Sequence, residues 1–440
     1  MKTEGQTKSP INPPGHPKYR ASPKNKSHSH VTDTWQQTTL GKHVELLTGF
    51  PFSSTKYSEA QNAIRLLRGD NVVQGSIRWN GAKKWPNASE PRLQPYYLDV
   101  NDVVIAMDRT WVKAGLKAAV IKEIDLPALL VQRVARLRPQ KSMYYGFLAM
   151  LVRSHRFEQY VKGVQTVTAV PHISPLQIRN FQISLPNLPE QKAIADLLST
   201  WDEAIDKTEQ LIRAKESHLD SCARRLFDIQ DVDKRAGWNV VKLKTILVEH
   251  GRKSSGCEDV FSVSVHKGLV NQIEHLGRCF SAANTTGYHR VQHGDIVYTK
   301  SPTGDFPLGI VKQSHVAEDV IVSPLYGVFS PLTFSLGTVL DFYFSSPTRA
   351  SNYLLPLVQK GAKNTIAISN TTFLSGSLSL PVEEEAQNNI AEFVLTARNE
   401  IDRLRLLAEK YKTQKRGLMQ KLLAGEWRLP PTIVSHYAEE

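Results

Sequence analysis

Basic and aromatic side chains alternate at short spacing in two stretches of this 440-residue chain. In the first, Arg78 precedes Trp79, Lys83-Lys84 precedes Trp85, and Arg109-Thr110-Trp111 is followed by Lys113. In the second, His289-Arg290, Tyr298, Lys300, Ser301 and Thr303 occupy comparable turns. Guanidinium and ammonium groups on loops bind phosphate or guanine edges, and neighbouring rings pack against sugar or base. The candidates for contact with a polyanion are therefore Arg78, Lys83, Lys84, Trp85, Arg109, Trp111, Lys113, Arg290, Tyr298, Lys300 and Thr303. For each of them the competing reading is a solvated loop whose ring is half-buried in a core.

No catalytic signature accompanies these residues. Gly304 and Gly309 have the spacing of a phosphate-binding loop, but Ile310-Val311 stands where Lys-Ser/Thr is required. There is no HExxH, no GxSxG and no glycine-rich turn of a dinucleotide-binding unit. The three cysteines, Cys222, Cys257 and Cys279, form no CxxC pair. Neither a disulfide framework nor a metal site is expected, and a reducing cytoplasm is. Apolar residues make up 41 % and charged residues 22 % of the chain, which excludes wholesale disorder. No apolar run approaches the roughly 18 residues that span a bilayer, so no membrane contact is expected. The net charge of +13 points to a polyanionic partner. It is concentrated: +10 on 34–185 and +3 on 231–380, with slightly acidic stretches at 186–230 and 381–440. Residues 1–33, rich in Pro, Ser, Lys and His, read as a disordered basic tail.

The elements that must position these residues occur twice. At a shift of 196, Gln191 meets Gln387, Ile194-Ala195 meets Ile390-Ala391, Ile205-Asp206 meets Ile401-Asp402, and Leu226 meets Leu422. Upstream, Trp35 with Leu40 corresponds to Trp238 with Leu243, and Asn101-Asp102-Val103-Val104 to Gly294-Asp295-Ile296-Val297. Each half closes on Leu-Pro, at Leu185-Pro186 and Leu380-Pro381. Short β-rich runs at Asp102–Ala106, Ala118–Ile121, Asp295–Thr299 and Gly309–Val311 make both bodies mixed or mostly β.

The aligned segments carry heptad stripes with steps of four and three. The first runs Ile194, Leu198, Trp201, Ile205, Thr208, Ile212, Lys215, Leu219, Cys222, Leu226. The second runs Ile390, Val394, Ala397, Ile401, Leu404, Ala408, Tyr411, Lys415, Leu418, Leu422. Pro189-Glu190 and Glu383 to Glu385 supply start signals, and Gly425 a stop. Two matched stripes predict helices that pack on each other. The expected fold is α+β: two pseudo-repeated, mostly-β bodies at 34–185 and 231–380, separated by two long antiparallel coiled-coil helices. Those helices fall within 186–230 and 381–429, and 430–440 is left as a C-terminal tail.

Leu185-Pro186-Asn187-Leu188-Pro189-Glu190-Gln191 leading into Ile194-Ala195, Leu198 and Ile205-Asp206 resembles the specificity subunits of type I restriction–modification systems. Arg416-Gly417-Leu418-Met419-Gln420-Lys421-Leu422-Leu423 with Gly425-Glu426-Trp427-Arg428-Leu429 is similar to the same family, as is Leu67-Arg68-Gly69-Asp70-Asn71. The resemblance covers nearly everything after residue 33. It departs at the basic N-terminal extension and at Glu385-Ala386-Gln387, which stands where Pro-Glu-Gln is usual.

The resemblance implies two target recognition domains that read the halves of a bipartite, asymmetric site on double-stranded DNA. It further implies helices that space the domains and dock two modification (methyltransferase) subunits, with restriction (endonuclease/translocase) subunits joining them. The chain itself would be non-catalytic and bind no cofactor, with S-adenosylmethionine, Mg and ATP on the partner subunits. Two alternatives remain at this stage: the specificity chain of a type IIB-like fused nuclease–methyltransferase, and a stand-alone DNA-binding or scaffold protein.

Overall fold

The computed structural model describes residues 35–86, 90–112, 115–166, 171–228, 235–276, 284–360 and 366–438. The N-terminal tail, Lys113 and Cys279 lie outside the described residues. The chain divides into two compact units, residues 1–193 with 422–440 and residues 194–421.

In the first unit a four-stranded antiparallel sheet runs Val44–Thr48, Val134–Pro139, Val103–Ala106, Ala118–Val120 in spatial order. Val103–Ala106 is buried at every position, as a continuous apolar run flanked by strands on both sides should be. A three-stranded sheet joins Lys84–Trp85, Ile64–Leu67 and Ala128–Leu130, the last two parallel. Three helices follow, Tyr145–Arg153, His155–Val164 and Pro175–Arg179. Strand Gln182–Leu185 then returns to pair with Gln36–Thr39.

The second unit repeats this plan. Its sheet runs Leu247–Glu249, Gly327–Pro331, Ile296–Tyr298, Val311–Gln313, the same order with every pair antiparallel. Helices Phe334–Phe344, Pro347–Leu354 and Asn370–Ser375 follow, and Ser377–Pro381 pairs with Trp238–Lys242. The aligned leucines do the same job in each half. Leu40 and Leu243 are both fully buried in a single 3-10 turn. The amide of Leu40 donates to Phe181 O, and that of Leu243 to Gly376 O, each at 2.9 Å.

Asn101 and Gly294 match as well, with φ of 72° and 90°. Asparagine and glycine are the residues that take the left-handed region most readily, so both halves enter the central strand through the same turn. The buried carboxylates that follow recruit different partners. Asp102 is forked by Arg138 Nε and Nη2, both at 2.8 Å. Asp295 is held by His250 Nε2 at 2.9 Å and Ser330 Oγ at 2.7 Å.

The two long helices are Leu188–Phe227 and Glu384–Ala424. Gly425, at φ 73°, sits just past the second in the C-terminal glycine position. The apolar stripe positions turn inward. Ile194, Leu198, Ile205, Val394, Ile401 and Leu422 are buried, and Trp201, Ile212, Leu219, Leu226, Ile390, Leu404, Tyr411 and Leu418 are half-buried. Within the second unit the helices pair antiparallel. Lys415 meets Asp202, Lys412 meets Glu209 at 3.0 Å, Arg405 meets Glu216 at 2.6 Å, and Lys215 meets Glu400 at 2.7 Å. Trp201 and Tyr411 meet edge to face, centroids 5.8 Å apart. The two lysines inside the stripes thus find carboxylates on the opposite helix, which is how a polar seam position is tolerated. Ala223, Phe227 and Val394 also enter the core built by Trp238, Phe329, Phe342 and Phe373.

Three details differ from the sequence reading. The last strand of the second sheet is Val311–Gln313, because Gly309 takes φ 101° in a turn and cannot extend it. The helices inside the two bodies were not individually expected, although Ser154, Ser174, Thr333, Ser346 and Ser369 cap them by accepting from the amide three residues on. A short helix, Pro431–Ser435, occupies the C-terminal stretch. Among the described residues no helix is long and apolar enough to cross a membrane.

Candidate nucleic-acid interface

In the first unit three loops converge at one end of the four-stranded sheet. Strand Val103–Ala106 runs into the loop that carries Arg109 and returns through Lys117 to Ala118–Val120. Met107 N donates to Arg133 O at 2.9 Å, which ties that loop to the turn before Val134–Pro139. The Arg68-Gly69-Asp70-Asn71 loop lies against the same strand end: a Cβ on Gly69 would sit 3.8 Å from that of Ala106.

Asn71 explains its own motif. Its Oδ1 accepts from Arg68 N at 3.0 Å, its Nδ2 donates to Arg78 O at 3.1 Å, and its carbonyl accepts from Arg78 N at 2.8 Å. The buried amide thereby staples the loop and leaves Arg68 and Arg78 at its surface.

Arg109 is exposed at φ 44°, a conformation that costs an arginine roughly 1–3 kcal/mol. Its neighbour Asp108 is spent on Arg133, at 2.7 Å, and on His172. Among the described residues no carboxylate pairs with the Arg109 guanidinium. Thr110 is buried and donates to Gln165. Trp111 is half-buried beneath Lys162, whose ammonium stands 4.6 Å above the ring, and its indole N–H is buried without a partner among the described residues.

The other candidates of this unit separate. Lys83 is exposed and Lys84 half-buried. Trp85 is 4 % exposed, packs on Phe52 at 4.8 Å and donates to Glu90. It belongs to the core: on a strand, the residue after an outward-facing lysine faces inward.

In the second unit the equivalent loop, between Ile296–Tyr298 and Val311–Gln313, carries Lys300 at φ 59°. Both halves therefore place a left-handed basic residue beyond the same strand. Gly309 makes this possible, because any Cβ there would come within 2.8 Å of Lys300 N. Burial pulls the Lys300 ammonium below the usual lysine range, partly offset by Glu249. Burial also lowers His289, reinforced by Lys253 and Lys300. Thr303 is exposed and closes a tight turn with Phe306.

Two candidates of the second unit are corrected. Tyr298 is 1 % exposed, stacks on Phe373 and donates to Leu308 O at 2.8 Å, so it is a core residue. Arg290 is neutralised by Glu258 at 2.9 Å and Asp319 at 3.9 Å. Sequence reasoning missed Lys117 and Arg133, which carry no motif and join the site only through the turns around the sheet end. Among the described residues no cluster of His, Cys, Asp or Glu is suited to a metal ion.

Residues 49–215 match the family described as the type I restriction modification DNA specificity domain. The chain is 30 % identical over 191 residues to the type I restriction enzyme EcoAI specificity subunit of Escherichia coli, covering 43 % of this chain. It is 31 % identical over 191 residues, 42 % of this chain, to the MjaVIII specificity subunit of Methanocaldococcus jannaschii. The matched stretches span only 32 % and 44 % of those relatives' own lengths. The fold is similar to the crystal structure of a type I system S subunit from M. genitalium, with a TM-score of 0.55 at 12 % identity, over 90 % of this chain and 98 % of that one. The matched domain, the duplicated sheet-and-helix plan and the paired long helices agree in what they resemble: residues 49–215 match the DNA specificity domain of type I restriction–modification systems, and the chain is similar to their specificity subunits.

Proposed function

We propose that the chain reads a bipartite, asymmetric site on double-stranded DNA, one half-site per recognition body, and itself performs no chemistry. The observation that carries this reading is the duplication. The same four-stranded sheet in each half ends in a loop with a left-handed basic residue, Arg109 or Lys300. Strained backbone at a basic loop residue is retained where a ligand uses the side chain. The halves differ in detail, with a broad cationic cluster in the first and a partly neutralised one in the second, so the half-sites differ. The paired helices dock two modification subunits, which bring S-adenosylmethionine, and the restriction subunits bring Mg and ATP.

Selection of bound duplexes from a randomised pool by the full chain tests the reading. Two short defined blocks separated by a fixed undefined spacer are expected. A single uninterrupted motif, or no enrichment, contradicts it.

A further inference from the structure

Asp108 is the hub of the first unit's loop cluster. Its Oδ2 accepts from Arg133 Nη1 at 2.7 Å, and its Oδ1 stands 2.5 Å from His172 Nδ1. Backbone pairing holds all three residues in place. Asp108 forms an antiparallel bridge with His172, and Met107 N donates to Arg133 O at 2.9 Å. Arg109 N donates to Pro171 O, and Ile173 N to Met107 O, each at 2.9 Å. Arg133 itself takes φ 67°, a left-handed backbone that arginine rarely adopts.

Unequal exposure sets this group apart from an ordinary surface ion pair. The Asp108 side chain is 19 % exposed, against 70 % for Arg133 and 38 % for His172. The acceptor is tucked in and the two donors are presented to solvent. An ionised carboxylate only accepts, so His172 Nδ1 carries a proton and Nε2 is the open edge of the ring. Among the described residues Nε2 meets no partner, and neither do Arg133 Nε and Nη2. Each side chain is thus fixed at one end and open at the other. The second unit has no such hub: Thr299 precedes Lys300 where Asp108 precedes Arg109, and its hydroxyl oxygen accepts from Ile310 N at 3.0 Å.

We infer that Asp108 is a positioning residue that holds Arg133 and His172 as the base-reading pair of the first half-site, with Arg133 set for a guanine edge. This rests on the DNA-reading function proposed above. A guanidinium anchored through Nη1 offers its remaining N–H groups to O6 and N7 of guanine, a two-pronged contact that the point charge of a lysine cannot copy. His172 Nε2 meets the neighbouring base edge. Because one carboxylate orients both side chains, the two readings are coupled.

The test uses the full chain, Arg133→Lys, which keeps the charge and loses the fork, and Asp108→Asn, which keeps the shape and loses the charge. Selection from a randomised duplex pool gives the base preference at each position. Binding to a random-sequence duplex gives the non-specific affinity, and thermal melting follows the fold. Arg133→Lys is expected to relax one guanine position by roughly 5- to 150-fold, the discrimination of one two-pronged contact. The other half-site, the random-duplex affinity and the melting temperature stay unchanged. Asp108→Asn is expected to relax that position and its neighbour together. Its random-duplex affinity holds or rises, because a negative charge has left the binding surface.

An unchanged base preference in Arg133→Lys overturns the inference and leaves the DNA-reading function standing. Equal weakening on every duplex marks a phosphate contact and also overturns it. Asp108→Asn that melts lower with its base preference intact marks a structural carboxylate and overturns the positioning role. If Asp108→Asn does not fold, His172→Gln decides in its place, and an unaltered neighbouring position overturns the pair. A wild type that enriches no bipartite site overturns the DNA-reading function and this inference with it.

Discussion

Glu190 and Arg428 form a two-pronged ion pair across 238 residues of sequence, Nε to Oε1 at 2.6 Å and Nη2 to Oε2 at 2.7 Å. Trp35 completes it: its indole N–H donates to Glu190 Oε2 at 3.1 Å, and the guanidinium stands 5.3 Å from its ring. Glu190 is 3 % exposed. The pair fastens the segment after the second helix to the start of the first helix and to the first strand of the first unit. In the repeat, register 190 falls on Ala386, where the pair has no counterpart. There the chain runs from the helix ending at Phe227 to the strand starting at Trp238, so a covalent link does what the ion pair does in the first half.

Arg428→Ala leaves the Glu190 carboxylate buried with the indole as its one side-chain donor among the described residues. A loss of about 1.5–3 kcal/mol from the first unit is expected, the range for hydrogen bonds to charged groups. Chemical denaturation of the full chain checks it. Unchanged unfolding of the first unit refutes the fastening role.

The helix pair should owe its stability to its apolar seam and little to its surface ion pairs. Leu198 is fully buried, so Leu198→Ala should cost about 2–5 kcal/mol. The Arg405–Glu216 pair is about half exposed, so Glu216→Ala should cost less than about 1 kcal/mol. Denaturation midpoints of the two variants decide, and a reversed order would contradict the seam.

Arg109 and Trp85 were equal candidates by sequence, and the structure separates them. Trp85→Ala should destabilise by about 3–5 kcal/mol through a cavity in the core. Arg109→Ala should leave stability intact or raise it, because a strained left-handed arginine is relieved. In binding it should either lower the salt slope by about one or relax discrimination at one base by roughly 1–3 kcal/mol. Paired melting and binding curves distinguish the two variants.

Stability should fall on acidification in two windows. Burial holds His43, His289 and His315 below their usual value of 6.5, so the folded state binds fewer protons than the unfolded one. That preference is fully present above 6.5 and is lost as pH falls below it. His315→Asn should flatten this limb. Glu258 is raised by burial but driven down to about 2 by the Ser255 amide and hydroxyl and by the Ser254 hydroxyl. Its contribution is present above its usual 4.5 and disappears as pH falls toward about 2, so Glu258→Gln should flatten the deeper limb. Unfolding monitored across pH checks both, and a wild-type chain with no slope below 6.5 contradicts the first.

The repeat and the helices were legible in the sequence because each depends on spacing. A heptad stripe needs only its period, and the left-handed turn at Asn101 and Gly294 announces itself by residue type. The binding residues were legible only in part. Proximity to a basic residue does not say which face of a strand a ring takes, so the sequence offers Trp85 and Tyr298 as contacts although both are core. The charge of Arg290 could not be seen as neutralised, because Glu258 and Asp319 lie 32 and 29 residues away in sequence. Lys117 gave no signal at all, since its place in the site exists only once three loops have met.

The central claim is tested most directly by mapping methylated bases across the host genome with the gene intact, deleted, and carrying the corresponding body of a type I specificity subunit in place of residues 238–381. The intact gene should mark one bipartite asymmetric site, and deletion should abolish it. The exchange should change one half-site while the other stays the same. A methylation pattern indifferent to the gene, or an exchange that alters both half-sites at once, would contradict two independent reading bodies on one scaffold.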